Sequence, residues 1–105
     1  MYKIVFFVPE SHLEHVKTAV FNAGAGHIGQ YDQCCWQVAG IGQFRPLAGS
    51  NPHIGKIGKL EQVPEFRVEM VCEDALVKSA VKALQLAHPY EEPAIDIWRL
   101  EEFKL

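Results

Sequence analysis

The sequence predicts an α+β domain of the ferredoxin-like class. Its order is β-α-β-β-α-β, a four-stranded antiparallel sheet with two helices on one face. Three observations predict it. Four short segments are apolar or alternate apolar with polar residues, and are rich in β formers. Two segments between them carry apolar residues at helical spacing. The order strand, helix, strand then occurs twice, and right-handed crossovers close such a chain into one sheet.

Residues 2–8 form an apolar run closed by Pro9, a buried strand. Ser11-His12-Leu13-Glu14 fits a capping box, in which the serine hydroxyl accepts a free N–H and Glu14 reaches back. Leu13, Val16, Val20 and Ala23 follow at helical spacing, and Gly24 and Gly26 supply the stop, so a helix is predicted over 11–23. The second strand is predicted over 33–44, with Cys34, Trp36 and Val38 on one face and Cys35, Ala39 and Ile41 on the other. Gly40 and Gly42 suggest a bulge or a close backbone approach in it. Residues 44–59 read as a long loop, anchored by Phe44, Leu47, Ile54 and Ile57 and stiffened by Pro46 and Pro52. The third strand, 63–72, alternates Phe66, Val68, Met70 and Cys72 with Arg67, Glu69 and Val71. Glu73 and Asp74 open the second helix, where acids suit the positive end of the dipole. Leu76, Ala80, Ala83, Leu84 and Ala87 mark its buried stripe, and residues 94–100 form the last strand.

A chain of 105 residues fits one domain, 1–105, and its composition of 49% apolar and 22% charged residues is globular. A net charge of -3 and scattered Lys and Arg argue against nucleic acid as a partner, since phosphate binding needs a basic stripe. The apolar stretches are strand-length, so no membrane span is expected. Met1-Tyr2-Lys3-Ile4 runs into a strand without a cleavage site, and three irregularly spaced cysteines suit a reducing compartment. The expected location is cytoplasmic.

The stretch Ala87-His88-Pro89-Tyr90-Glu91-Glu92-Pro93 carries the most chemistry. It sets an imidazole, a phenol and two carboxylates between two prolines. A helix stop needs only Pro89. The plain reading is a helix end with solvated carboxylates; the richer one is a site. His88 with Glu91 and Glu92, joined by His12 or His53, is a candidate set for a divalent metal ion, although the spacing follows no accepted ligand pattern. Alternating conformation sends only one of the two glutamates toward His88. Strand directions place His12, His53, His88, Glu91 and Glu92 at one end of the sheet and His27 at the other. Cys34, Cys35 and Cys72 read as small core hydrophobes. Gly40-x-Gly42 lacks the third glycine and following helix of a dinucleotide fingerprint, and Lys56 and Lys59 close no phosphate loop. No catalytic residue is legible.

Further blocks flank this stretch: Gly26-His27-Ile28-Gly29-Gln30-Tyr31, Gly40-Ile41-Gly42-Gln43-Phe44-Arg45-Pro46 and Gly49-Ser50-Asn51-Pro52-His53-Ile54-Gly55. With the His88 block, in this order, they resemble the NIF-three-like family (homologues of NGG-one-interacting factor three). More narrowly they are similar to the domain inserted in its longer members, here as a stand-alone version. The resemblance runs over residues 26–100. It implies a fold similar to the PII signalling and cation-tolerance proteins, which form trimers. It singles out His27, Tyr31, Gly42, Phe44, Pro52, His88 and Tyr90 as candidate ligand-binding residues. Longer members hold a two-metal centre in two flanking halves. Neither half is in this sequence, so the hydrolase-type activity sometimes attached to the family has no residues here to carry it.

Assembly follows from the faces. Two helices cover one side of the sheet, yet Val5, Phe7, Trp36 and Trp98 are apolar on the other. At about 25 cal/mol per Å², covering them is favourable, so self-association through that face is expected, and the resemblance to PII-like proteins implies a homotrimer. The leading expectation is a non-catalytic PII-like binding or regulatory module that takes a small ligand or divalent metal at subunit clefts. The alternatives are a metal-dependent hydrolase or an accessory subunit of one, and a protein-interaction module using the 44–59 loop.

Overall fold

A computed structural model describes residues 1–104. In chain order the elements are β1 (Tyr2–Pro9), a 3-10 turn (Glu10–His12), α1 (Leu13–Asn22), β2 (Trp36–Phe44), β3 (Glu61–Cys72), α2 (Val77–Ala87) and β4 (Ile95–Arg99). The strands form one sheet in the order β2-β3-β1-β4. Every neighbouring pair is antiparallel. This is the expected ferredoxin-like class.

Strand alternation sorts the side chains. Ile4, Phe6 and Val8 of β1 share a face with Val68, Met70 and Cys72 of β3, and all are buried. Leu13, Val16 and Val20 of α1 and Ala80 and Leu84 of α2 pack on them as one core. The helices thus cover one face. The stripe predicted for α2 is narrower in fact: Ala80 and Leu84 are buried, while Leu76 is exposed.

The open face is more mixed than a pure apolar patch. Val5 is fully buried, but Trp36 is 62% and Trp98 47% exposed. β3 adds Glu65, Arg67 and Glu69 to the same face. The Arg67 guanidinium lies over the Phe7 ring at 5.8 Å and over the Trp98 ring at 5.9 Å. It also pairs with Glu69 at 3.5 Å. One long cation therefore covers part of what the apolar pattern left open.

Several local expectations are corrected. The capping box does not form: Ser11 lies in the 3-10 turn, and its hydroxyl bonds the His12 ring Nδ1 at 2.9 Å instead of a helix N–H. α1 therefore starts at Leu13. Glu73 and Asp74 sit in a turn ahead of α2, where the Leu76 N–H donates to the Glu73 carbonyl at 2.9 Å. β2 starts at Trp36, so Cys34 and Cys35 precede it and are half-buried. Cys72 is core, as expected. No bulge interrupts β2: each residue from Trp36 to Phe44 pairs one to one with β3. The glycine stop after α1 is as read, with Gly24 at φ 107° and its N–H on the Phe21 carbonyl.

One feature of the sheet builds the site. β1 pairs with β3 only as far as Pro9↔Glu65. Beyond it, β2 and β3 run on as a two-stranded ribbon from Pro64↔Ile41 to Glu61↔Phe44. Pro64 stands where no strand lies on its second side, so its missing N–H costs no ladder bond. The step between the end of β1 and the projecting ribbon is a notch at one end of the open face.

Candidate functional site

Two segments fill that notch. One is the connection between β2 and β3; the other is the His88 segment, which carries the chain from α2 to β4. The connection is held by its own bonds. The Ser50 N–H and hydroxyl both donate to the Leu47 carbonyl, at 3.1 and 2.7 Å, and the Gly58 N–H donates to the Pro46 carbonyl at 2.7 Å. Pro46 is buried, while Leu47 and Ile57, expected as anchors, are exposed. Phe44 and Ile54 do turn inward. The Asn51 N–H donates to the Glu91 carboxylate at 2.8 Å and ties the two segments together.

His88 organises the second segment. β4 pairs with β1 no further than Ile95↔Phe6. The next carbonyl, that of Phe7, accepts from the His88 Nε2–H at 2.7 Å. The other ring nitrogen, Nδ1, accepts the Tyr90 N–H at 3.1 Å. Those two bonds require the neutral Nε2–H tautomer. Burial holds the imidazole below its ordinary pKa, and nearby His12 and His53 act the same way; the Phe7 carbonyl and Glu65 oppose them. The Tyr90 ring packs on His88 with centroids 4.9 Å apart, and its hydroxyl donates to Glu65 at 2.8 Å. Burial first, then this contact with Glu65, pushes the phenol pKa up.

The result is a cavity of about 250 Å³. Phe7, Phe44 and Tyr90 supply its aromatic wall, and Glu65, Glu91 and Glu92 its carboxylates. Its size lies just under the usual range for drug-sized ligands. His53 stands at its edge, 6.2 Å from the Tyr90 ring and 5.5 Å from the ring of His12.

Of the expected ligand residues, Phe44, Pro52 and Tyr90 line the cavity. His88 lies behind it and positions Tyr90. Gly42 acts by leaving room: a Cβ there would collide with a Glu65 carboxylate oxygen. His27 and Tyr31 are not part of it. They are exposed in a small turn closed by the Ile28–Tyr31 bridge, at the opposite end, where the Gly26 N–H donates to the Val71 carbonyl. The shared end expected for His12, His53 and His88 is as read. Glu91 and Glu92 both line the cavity, not one alone, because residues 89–92 bend instead of extending. Among the described residues, no three His, Cys, Asp or Glu side chains converge to hold a metal ion. His88, with both nitrogens on backbone groups, reaches a metal only by giving one of them up.

Glu65 and Phe7 were missed from the sequence. Glu65 reads there as one more solvated carboxylate in an alternating strand, and only the fold brings Tyr90 to it. The glycine at 42 was the available signal, since a strand glycine marks a close approach.

Comparison with known proteins now bears on this geometry. No family model matches the chain. It is 50% identical over 98 residues to a "GTP cyclohydrolase 1 type 2 homolog" of Mycobacterium leprae, covering 93% of this chain and 26% of that protein. A Bacillus subtilis protein of the same name is 45% identical over 100 residues, 95% of this chain and 27% of its own length. The structure of a Bacillus cereus protein related to NIF3 superposes with a TM-score of 0.83 at 42% identity, over 96% of this chain and 26% of that one. Over nearly its whole length the chain is similar to proteins of the NIF3-like family.

The chain spans about a quarter of the length of the relatives it matches. Its fold occurs at nearly full length elsewhere. The periplasmic divalent cation tolerance protein CutA from Archaeoglobus fulgidus superposes with a TM-score of 0.69 over 99% of this chain and 88% of that protein. Identity there is 16%, so the likeness is one of fold. Among the described residues, no helix is long and apolar enough to cross a membrane.

Proposed function

We propose that this NIF3-like chain is a non-catalytic binding and regulatory module that takes a small molecule in the cavity between the β2–β3 connection and the His88 segment. One observation carries the reading. Phe44, Pro52 and Tyr90 come from three separate motif blocks, and all three line the same cavity. Packing alone gives three blocks no reason to converge on a space that stays unfilled. The test is nuclear magnetic resonance of the labelled chain against a library of small fragments. Shifts clustered at Phe44, Ile54, Tyr90 and Glu91 are expected. A library that leaves these signals unmoved overturns the reading. Metal content of protein purified without an affinity tag separates it from a metal-dependent enzyme, since stoichiometric metal favours the latter.

The module works as an oligomer in this proposal, a homotrimer joined through the open face. Trp36, Val38 and Trp98, all exposed there, support it. Light scattering over a dilution series tests it, and a stable monomer at micromolar concentration refutes it. A second reading, a contact surface for another protein, draws on exposed Leu47, Ile57 and Leu60 in and after the loop. It predicts that changing these three alters partner capture and leaves fragment binding intact.

A further inference from the structure

The charge on the cavity wall is one-sided. Glu65, Glu91 and Glu92 line it, and no Lys or Arg does. Arg45, Lys56 and Lys59 belong to the same connection, yet none of them reaches the wall. Among the described residues, none of the three glutamates is in an ion pair. Each keeps acceptor capacity. Glu65 spends one oxygen on the Tyr90 hydroxyl, Glu91 spends one on the Asn51 N–H, and Glu92 makes no hydrogen bond to the described residues.

The rest of the wall is aromatic. The Phe44 and Tyr90 rings lie 6.0 Å apart at 54°, and the His53 ring is 6.2 Å from Tyr90 and tilted 46° to it. All three rings line the same cavity. A π face attracts a cation within about 6 Å of its centroid, and more strongly where water is excluded. The same rings attract an apolar body. An anion gains nothing from either and meets three like charges. Phosphates and carboxylates are thus disfavoured by the feature that favours ammonium.

We infer that the cavity selects a small organic cation, an amine or quaternary ammonium on a compact apolar body, held between the Phe44–Tyr90 wall and the glutamates. This rests on the small-molecule reading above and names the chemical class of the ligand. A bare metal ion is a poorer fit: among the described residues no three His, Cys, Asp or Glu side chains converge to hold one, and the aromatic part of the wall adds no ligand.

Three isosteric probes test it: choline, neutral 3,3-dimethylbutanol and anionic 3,3-dimethylbutyrate. They share a shape and differ in charge. Each is titrated into the full labelled chain at mildly alkaline pH, with the signals of Phe44, Tyr90 and Glu92 followed. Choline is expected to move them, and to bind at least about tenfold more tightly than the alcohol. Glu92→Gln, which breaks no observed bond, should weaken choline and leave the alcohol unchanged. Equal or tighter binding of the alcohol or the acid overturns the cation assignment and keeps the binding cavity. If none of the three, and no member of the fragment library, moves these signals, the cavity reading itself fails.

Discussion

Replacing His88 with Phe removes the two hydrogen bonds that hang the cavity wall on the sheet, while keeping a ring of similar size against Tyr90. In the native chain Nε2–H serves the Phe7 carbonyl at 2.7 Å and Nδ1 serves the Tyr90 N–H at 3.1 Å. His88 is only 6% exposed. A buried polar group left without a partner costs about 1–3 kcal/mol. The Phe7 carbonyl, just past the end of the β4 ladder, belongs to a half-buried residue and meets part of that cost. The Tyr90 N–H is half-buried and recovers part of it from water. The sum is about 2–4 kcal/mol. For a domain of this size each kcal/mol is worth about 4–8 °C, so His88→Phe should melt about 8–32 °C lower. The melt is run at fixed protein concentration, because self-association makes the midpoint concentration-dependent. Hydrogen exchange at Tyr90 should accelerate in parallel. A midpoint within about 3 °C of the native chain, with Tyr90 exchange unchanged, would show that His88 is a passive turn residue.

Other outcomes follow from the same contacts. Because His88 is held below its ordinary value of 6.5, the unfolded chain binds a proton that the folded chain refuses in the window beneath that value. Its stabilising contribution is therefore complete above 6.5 and drains away as pH falls toward the depressed value; denaturant midpoints should drop on mild acidification, and His88→Phe should flatten that slope. Gly42→Ala must push the Glu65 carboxylate aside. It should cost no more than about 1 kcal/mol, since only a flexible side chain moves, but remove the nuclear Overhauser contacts between Tyr90 and Glu65. Cys72 is 2% exposed and its thiol pKa is raised by burial and then by Glu73. Iodoacetamide should spare it in the folded chain and label it in denaturant.

The order of elements was legible because each core residue announces itself by period. Ile4, Phe6 and Val8 alternate; Val16 and Val20 recur at a helical turn. Helix starts were less legible. Ser11 and Glu14 have the right identities for a capping box, but His12 lies between them and takes the serine hydroxyl for itself. Side-chain competition of that kind leaves no mark on periodicity. The site divides in the same way. His88 and Tyr90 stood out because no helix stop needs them. Glu65 did not, since its partner lies 25 residues away in sequence. His27 and Tyr31 share the family motifs with the cavity residues but sit at the far end of the sheet. Their block closes a turn beside Gly26 in this chain, and a motif shared within a family marks structure as readily as it marks a site.

The unequal strand lengths tie these points together. β3 has 12 residues and β1 has 8. The surplus cannot pair with β1, so it projects with β2 and leaves a notch that the helices do not reach. A notch at a sheet end exposes one carbonyl, that of Phe7, and gives nearby side chains a floor on which to pack. His88 takes the carbonyl, Tyr90 follows it over the edge, and Glu65 on the ribbon meets the phenol. Gly42 then leaves the Glu65 carboxylate the space that a side chain would otherwise contest. Glu91 then ties the loop to this segment through the Asn51 N–H, while Glu92, also on the cavity wall, makes no hydrogen bond to the described residues. The negative charge that Glu65, Glu91 and Glu92 add beside the Phe44 and Tyr90 rings is what the proposed organic cation would meet.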